Sequence, residues 1–328
     1  MSEHILPLYA DPPCRSFQEP AFYLSILMNN PLYINEFFND YINFKYSKNY
    51  QVLYICYPKY NWYTYGDSDC DMESITIKNN PYIINSHDPY LFLINLMRRK
   101  LSEGYYVLSF CDEYYISQKK RYHKVHNWHD FMLCGYNDVQ KYFIGLGYTR
   151  DNQFKTYKIP FYELYQAIIW TEKNGLLNKD SSVAKIEFIK ARKDKEYTIK
   201  PDVIKEQLEN YIASKPIETD SYVYGIDAYY RFMNNLRNKF DIRCIRLIME
   251  HKQIMLQRIE YLNKLCEIDL DAIYIKYQQI VTIAEIAFNT AQKYLLTNNE
   301  ILIEKIINYL QNIINLEVPL INNLISKL

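Results

Sequence analysis

"HNWHDFMLCGYN", residues 126–137, decides how this chain folds. His129 and Asp130 lead into an apolar run that closes on Gly135-Tyr136, the reading of a sheet strand rather than a helix. Neighbouring stretches have the same character: "YQVLYICY" (50–57), "YYVLSFCDEYYI" (105–116), "KYFIGLGYT" (141–149) and "FKTYKIP" (154–160). Several are bounded by Gly, Asn or Asp, and "YNDVQKYF" supplies a hairpin turn between two of them, which points to an antiparallel sheet. Helical segments are expected at 20–44, 89–102 and 160–173, the last starting just after Pro160.

Past residue 200 the periodicity becomes helical. Ile245, Ile248, Met255, Ile259, Leu262 and Cys266 form one stripe, and Ile273, Tyr277, Ile280, Ala284, Ala287, Ala291 and Tyr294 another. Such faces need a partner, so about four helices should cover the sheet or build their own lobe. "AKIEFIKAR" and "EYTI" are expected as further strands, and "KNGLLNKDSSVAKIEF" as a loop. The boundary is expected between about 195 and 218, dividing the chain into 1–205 and a helical 206–328. The fold class is α+β.

Composition narrows the function. With 328 residues no staple or metal is needed for stability. Lys+Arg and Asp+Glu both total 38, which removes the basic footprint of a nucleic-acid binder or a membrane-surface protein. The partners expected are small molecules or proteins. No secretory leader and no apolar stretch of spanning length is apparent, so a cytoplasmic protein is expected. The 7 cysteines (14, 56, 70, 111, 134, 244, 266) are odd in number and scattered without a C-x-x-C pair, so each reads as a reduced thiol. The 35 tyrosines against 7 glycines look like the codon bias of an A+T-rich genome, and single tyrosines are given little functional weight.

Cys14, in "YADPPCRSFQEPAFYLSILMNN", lies just ahead of an expected helix whose positive end would favour the thiolate. A histidine opening a strand, His129, could project its ring toward such a helix N-terminus. The order resembles papain-like folds, with an early cysteine on a helix and a later histidine on a sheet. The acid that papain-like enzymes carry on the strand after the histidine is missing here, since that strand reads "FIGLGYT". Asp112 or Glu113, at the end of the strand expected beside His129, could orient it instead. Asp130 is adjacent, but strand alternation should point it to the other face. Gln18 or Ser16 could join the Cys14 N–H in an oxyanion hole. His123 and His126 read as loop, with a three-histidine metal site the less favoured reading. "GDSDCDMES" (66–74) reads as a solvated loop or a loose cation site, with Cys70 a poor nucleophile among its carboxylates. No cofactor fingerprint or G-x-S-x-G elbow is present, so neither cofactor nor metal is expected.

"GYYVLSFCDEYYI", "HNWHDFMLCGYN" and "YFIGLGYTRDNQFKTYKIPFYELYQA", followed by "YGIDAYYRF" and "DIRCIRLIMEHKQIMLQRIEYL", resemble a bacterial family encoded beside nonribosomal peptide and related antibiotic assembly lines. Its members look like papain-type cysteine peptidases and are similar to the butirosin-pathway acyltransferase. The resemblance covers about residues 15–265 and is most specific at Asp112-Glu113-Tyr114-Tyr115, His129-Asp130 and Glu250-His251-Lys252. It implies a papain-like catalytic domain in which Cys14 takes an acyl chain from a carrier-protein thioester and passes it to a small amine, with His129 as base. The helical half would complete the cleft or dock the carrier protein, with Glu250 and Lys252 in a solvated or interhelical ion pair and His251 packed. The alternatives are a hydrolase using the same dyad with water, and a non-catalytic carrier-protein binding protein.

Overall fold

The computed structural model describes residues 3–56, 69–76, 86–173, 185–217, 221–266 and 268–328. Along the chain the elements are β1 (His4–Ile5), α1 (Gln18–Leu27), α2 (Tyr33–Asn39), β2 (Phe44–Ser47), β3 (Val52–Ile55), β4 (Cys70–Thr76), α3 (Pro89–Ser102) and β5 (Tyr106–Asp112). After a short 3-10 turn at Glu113–Tyr115 come β6 (Trp128–Asn137), β7 (Tyr142–Tyr148), β8 (Phe154–Pro160), α4 (Phe161–Lys173) and β9 (Lys185–Ala191). The remainder is α5 (Pro201–Ile212), β10 (Tyr222–Tyr224), α6 (Gly225–Asn235), α7 (Ile242–Leu265), α8 (Asp271–Thr297) and α9 (Ile301–Lys327). The chain is a mixed α and β protein with antiparallel sheets and a helical C-terminal region. Among the described residues no helix is long and apolar enough to cross a membrane.

Two compact units form, Met1–Pro12, Gln18–Asn30 and Ser68–Lys195 in the first, and Pro13–Phe17, Pro31–Asp67 and Glu196–Leu328 in the second. Where the sequence pointed to one cut between 205 and 206, the helical half also takes in two N-terminal segments.

The first unit is built on a sheet ordered β4-β9-β5-β6-β7-β8, with β1 added to the far half of β6 and every pairing antiparallel. The β6–β7 hairpin is closed by the Asn137 side chain, whose Oδ1 accepts the N–H groups of Val139 and Gln140 at 3.0 and 2.8 Å. The β6–β7 register shifts between Leu133 and Gly135, a β-bulge. A Cβ on Gly135 would come within 2.4 Å of the His4 carbonyl oxygen, so only glycine permits that approach. Helix α1 packs on β6, β7 and β9, while α3 and α4 pack on β5 and on each other.

Three expectations are corrected here. The helix expected at 20–44 is broken: Asn29 donates its side-chain amide to the Ser25 and Ile26 carbonyls, and Pro31 supplies no N–H to continue. Residues 44–47 become a strand. The "EYTI" segment joins no sheet, because the side-chain amides of Asn35 and Asn39 take the Tyr197 and Thr198 carbonyls at 2.9 Å each. The described part of "GDSDCDMES" is strand β4 paired with β9, not loop; residues 66–68 lie outside the described residues. Cys70 is buried there, and burial, then Asp69 and Asp71, pushes its thiol pKa up. Of the loop expected at 173–188, residue 173 ends α4 and 185–188 lie in strand β9, and residues 174–184 lie outside the described residues.

The second unit joins a small sheet, β10-β2-β3, to helices α7, α8 and α9 of 24, 27 and 27 residues. Helix α7 is its centre. Successive residues of a helix point about 100° apart, so three consecutive buried polar residues require neighbours on nearly every side. Glu250, His251 and Lys252 are 4, 0 and 0% exposed. Glu250 accepts the backbone N–H groups of Arg15 and Ser16 at 3.0 Å and the Ser16 hydroxyl at 2.7 Å. His251 Nε2 lies 2.7 Å from the Ile42 carbonyl. Lys252 donates to Glu317 on α9 at 2.9 and 2.7 Å. Glu250 is therefore neither solvated nor paired with Lys252; its charged partner is Arg246, at 2.9 Å.

Glu317 also accepts the hydroxyls of Tyr211 on α5, at 3.0 Å, and Tyr277 on α8. Four helices thus share one buried carboxylate. Burial draws the Lys252 pKa down and Glu317 partly restores it, so the pair is stable only while both members are present. Glu317→Leu should cost about 3–5 kcal/mol in urea unfolding, because it strands a buried ammonium. Combining it with Lys252→Met should recover most of that loss; equal destabilisation by single and double variants would show that the charge pair does not matter.

Candidate functional site

The first unit brings its polar side chains together where β6 begins. Helix α1 starts at Gln18, with Glu19 and Pro20 in its first turn, where a missing N–H costs nothing. The Gln18 side chain, 5% exposed as a residue, is held at both ends. Its Oε1 accepts the Tyr148 backbone N–H at 2.7 Å, which fixes the amide's orientation and turns Nε2 toward β6. Nε2 lies 2.9 Å from Asp130 Oδ1, 3.2 Å from the Asp130 carbonyl and 2.9 Å from His129 Nδ1. Space for this arrangement comes from Gly147, at φ +148°, where a Cβ would stand 2.6 Å from Gln18 Oε1.

His129 Nδ1 also contacts Asp130 Oδ1, forming an ion pair between sequence neighbours. Strand alternation separates the two side chains at Cβ, but the ring folds back along the strand, bringing Nδ1 to 3.4 Å from the Asp130 carbonyl. Burial works against a charged ring, yet the Asp130 carboxylate outweighs it and the His129 pKa is raised. Burial likewise opposes the Asp130 charge, but His129 and then Gln18 hold its pKa below the usual value. The His129 side chain is 39% exposed, and Nδ1 is the ring nitrogen that meets Asp130 and Gln18. Nε2 is a hydrogen-bond donor when the ring is charged.

Lys119, 4% exposed, stands nearby: Nζ donates to the Tyr148 carbonyl at 2.9 Å, lies 3.4 Å from Glu113 Oε1 and sits 4.8 Å from the centre of the Tyr157 ring. Burial would neutralise it, but Tyr157 and Glu113 more than compensate and raise its pKa. Where a papain-like acid would follow the histidine, Gly145 leaves room for Ile159 and Tyr157, whose atoms would lie 2.8 and 3.1 Å from an added Cβ.

The carboxylates expected to orient His129 are occupied elsewhere. Asp112 lies opposite Trp128 in the β5–β6 ladder, and Cys111, not Asp112, is opposite His129. Asp112 Oδ1 accepts the N–H groups of Tyr114 and Asn127, and Oδ2 lies 2.5 Å from His126 Nδ1. His126 is thus more than loop: its ring stacks between Trp170 and Tyr114, with centroids 4.1 and 4.3 Å away. Glu113 takes the Asn127 side-chain amide at 2.7 Å and acts on His129 only through its field. His123 sits in a turn at φ +51°. Among the described residues no group of three or more His, Cys, Asp or Glu is placed to hold a metal.

Cys14 belongs to the second unit. It precedes the first turn of α1, beyond which a helix dipole has little effect. Its side chain is 0% exposed, and burial, reinforced by the Glu250 carboxylate, pushes the thiol pKa far up. Ser16 is committed to Glu250, so it offers no free donor for an oxyanion. The sequence reading passed over Gln18 as the residue on the histidine and over Lys119 altogether. The signal for Gln18 was local: an acid and a proline directly after it mark the helix start four positions beyond Cys14.

The chain was compared with protein-family models and with curated proteins, and it matches none of them.

The ion pair sets a pH window. Asp130, with a lowered pKa, contributes stability that is present above the ordinary carboxylate range and is lost as pH falls through its folded value. His129, with a raised pKa, contributes stability that is full below about 6.5 and fades as pH rises through its folded value. NMR titration of the His129 ring should give a midpoint above about 6.5, falling in Asp130→Asn. An unchanged midpoint in that variant would mean that Asp130 does not hold the proton.

Gly147→Ala should cost about 1–3 kcal/mol, read by denaturant unfolding, because the new methyl meets both Gln18 Oε1 and an unfavourable φ.

Proposed function

We propose that this chain is a papain-like protein of antibiotic or related specialised-metabolite assembly that holds a carrier-protein thioester without becoming acylated. The scaffold supports the reading through α1, which starts against the histidine-bearing end of an antiparallel sheet. The family resemblance of the DEYY block and the His129-Asp130 pair supplies the substrate class.

One observation supports the non-covalent reading. In a papain-like arrangement the residue at the helix N-terminus facing the histidine is the nucleophile, and here it is Gln18, with Nε2 2.9 Å from His129 Nδ1. A primary amide has no nucleophilic lone pair to compare with a thiolate. Its N–H groups point to Asp130, and the imidazole it meets is already paired with that carboxylate. A buried Cys14 with a raised pKa provides little thiolate in its place. What remains is a histidine whose pKa Asp130 raises and whose outer edge, when protonated, can donate to a thioester carbonyl oxygen.

The competing reading is the cysteine acyltransferase or amide synthase in which Cys14 takes the acyl chain and His129 is the base, with hydrolysis as its water-using variant. Intact-mass measurement after mixing with an acyl-carrier-protein thioester separates them. The binding reading expects no adduct on the wild-type chain, binding retained in Cys14→Ala and weakened about tenfold or more in His129→Ala. Gln18→Cys should gain an acyl adduct, since it restores a thiol facing the ring. A wild-type adduct that disappears in Cys14→Ala, with amide formed when a small amine is added, would establish the acyltransferase instead.

A further inference from the structure

Tyr148, at the end of β7, has both of its backbone polar groups taken by side chains. The β6–β7 ladder runs as far as Met132 and Leu146, and two residues further along, Asp130 and Tyr148 are joined through Gln18 instead. The Gln18 amide accepts the Tyr148 N–H at 2.7 Å and donates to the Asp130 carbonyl at 3.2 Å, so it takes the place of a ladder bond. Lys119 supplies the donor for the other group, its Nζ lying 2.9 Å from the Tyr148 carbonyl oxygen. A Cβ on Gly147 would stand 2.6 Å from Gln18 Oε1 and 3.6 Å from Lys119 Nζ, so the two side chains close on the same piece of backbone.

A buried ammonium persists only where its surroundings compensate the charge. Lys119 is 4% exposed, and besides Tyr148 it meets Glu113 Oε1 at 3.4 Å and the face of the Tyr157 ring at 4.8 Å. Tyr157 reaches it past Gly145, its ladder partner in β7. Glu113 is held in turn by the Asn127 side-chain amide, which donates to its other oxygen at 2.7 Å. The charge is thus fixed inside the protein, where a field is screened less than in water and reaches the Asp130–His129 pair. It favours the Asp130 carboxylate and opposes a charge on the ring, whereas Asp130 and Glu113 favour the ring charge. From α1 the ring meets the uncharged Gln18 amide, and Cys111, opposite His129 on β5, is kept as a thiol by burial.

We propose that Lys119 is a positioning residue of the His129 site: its ammonium braces the Tyr148 carbonyl, which keeps the Gln18 amide directed at Asp130, and it opposes a charge on the His129 ring. Lys119 acts through Tyr148 and through its field. Its bearing on ligand binding rests on the reading of His129 as a donor to a thioester carbonyl; its effect on the ring does not.

NMR titration of the His129 ring in the full chain, compared among wild type, Lys119→Met and Lys119→Arg, tests this. Removing a positive charge stabilises a nearby imidazolium, so the Lys119→Met midpoint should rise by about 0.5 pH unit or more, while Lys119→Arg, which keeps the charge, should stay near wild type. A midpoint unchanged or lowered in folded Lys119→Met, or moved equally by Lys119→Arg, would overturn the proposal. Should Lys119→Met fail to fold, Glu113→Gln carries the test: with the ammonium kept and its counter-charge gone, the midpoint should fall, and an unchanged midpoint would again overturn the proposal. Binding of an acyl-carrier-protein thioester, followed across pH, separates this role from the function proposed above. Binding that persists to higher pH in Lys119→Met, in step with the ring, supports both; a ring midpoint that rises with no change in binding supports the role of Lys119 and overturns that of His129 as donor.

Discussion

A strand buried within a sheet must satisfy its backbone N–H and C=O groups on both edges, and β6 meets that demand with β5 and β1 along one side and β7 along the other. Much of the first unit follows from this pairing. It places His129 opposite Cys111, requires glycine where β1 approaches at Gly135, and brings the end of β7 alongside the start of β6. There the Tyr148 N–H and the Asp130 carboxylate lie close enough for one glutamine amide to reach both. Gln18 bridges two strands because its acceptor and donor are fixed on opposite sides of the same planar group.

That amide also acts on the charged groups beside it. The Gln18 amide donates to Asp130, and Asp130 raises the His129 pKa against the opposing effect of burial. Lys119, anchored on the Tyr148 carbonyl and near Glu113, adds positive field without leaving the protein interior.

The second unit buries a cluster of charged and polar side chains. Around α7 they are sealed in and closed on each other: Glu250 on the Arg15–Ser16 backbone, His251 on Ile42, Lys252 on Glu317, and Arg258 on the Phe38 and Asp40 carbonyls at 2.8 and 2.7 Å. Buried charge on this scale costs desolvation that only complete pairing offsets, which selects one packing of these helices over others.

Local pattern determined the elements. The strand runs at 105–116, 129–137, 141–149 and 154–160 reappear as β5 to β8, and the stripes of α7 and α8, apart from Cys266 and Tyr294 at their ends, lie on the faces they bury, because side-chain alternation and helical period are properties of neighbouring residues. The helix start at Gln18 was also legible, in the Glu19-Pro20 that follows it. Which acid meets which histidine was not. Asp112 and His129 are close in the ladder, yet a half-step of register gives Asp112 to His126, and a ring folding back along its own strand gives His129 to Asp130. Nor could sequence tell that Glu250, His251 and Lys252 are all buried, since that depends on elements from residues 15 to 317 closing around one helix. Pairings of this kind are decided by side-chain reach across distant segments, and only the tertiary structure supplies that distance.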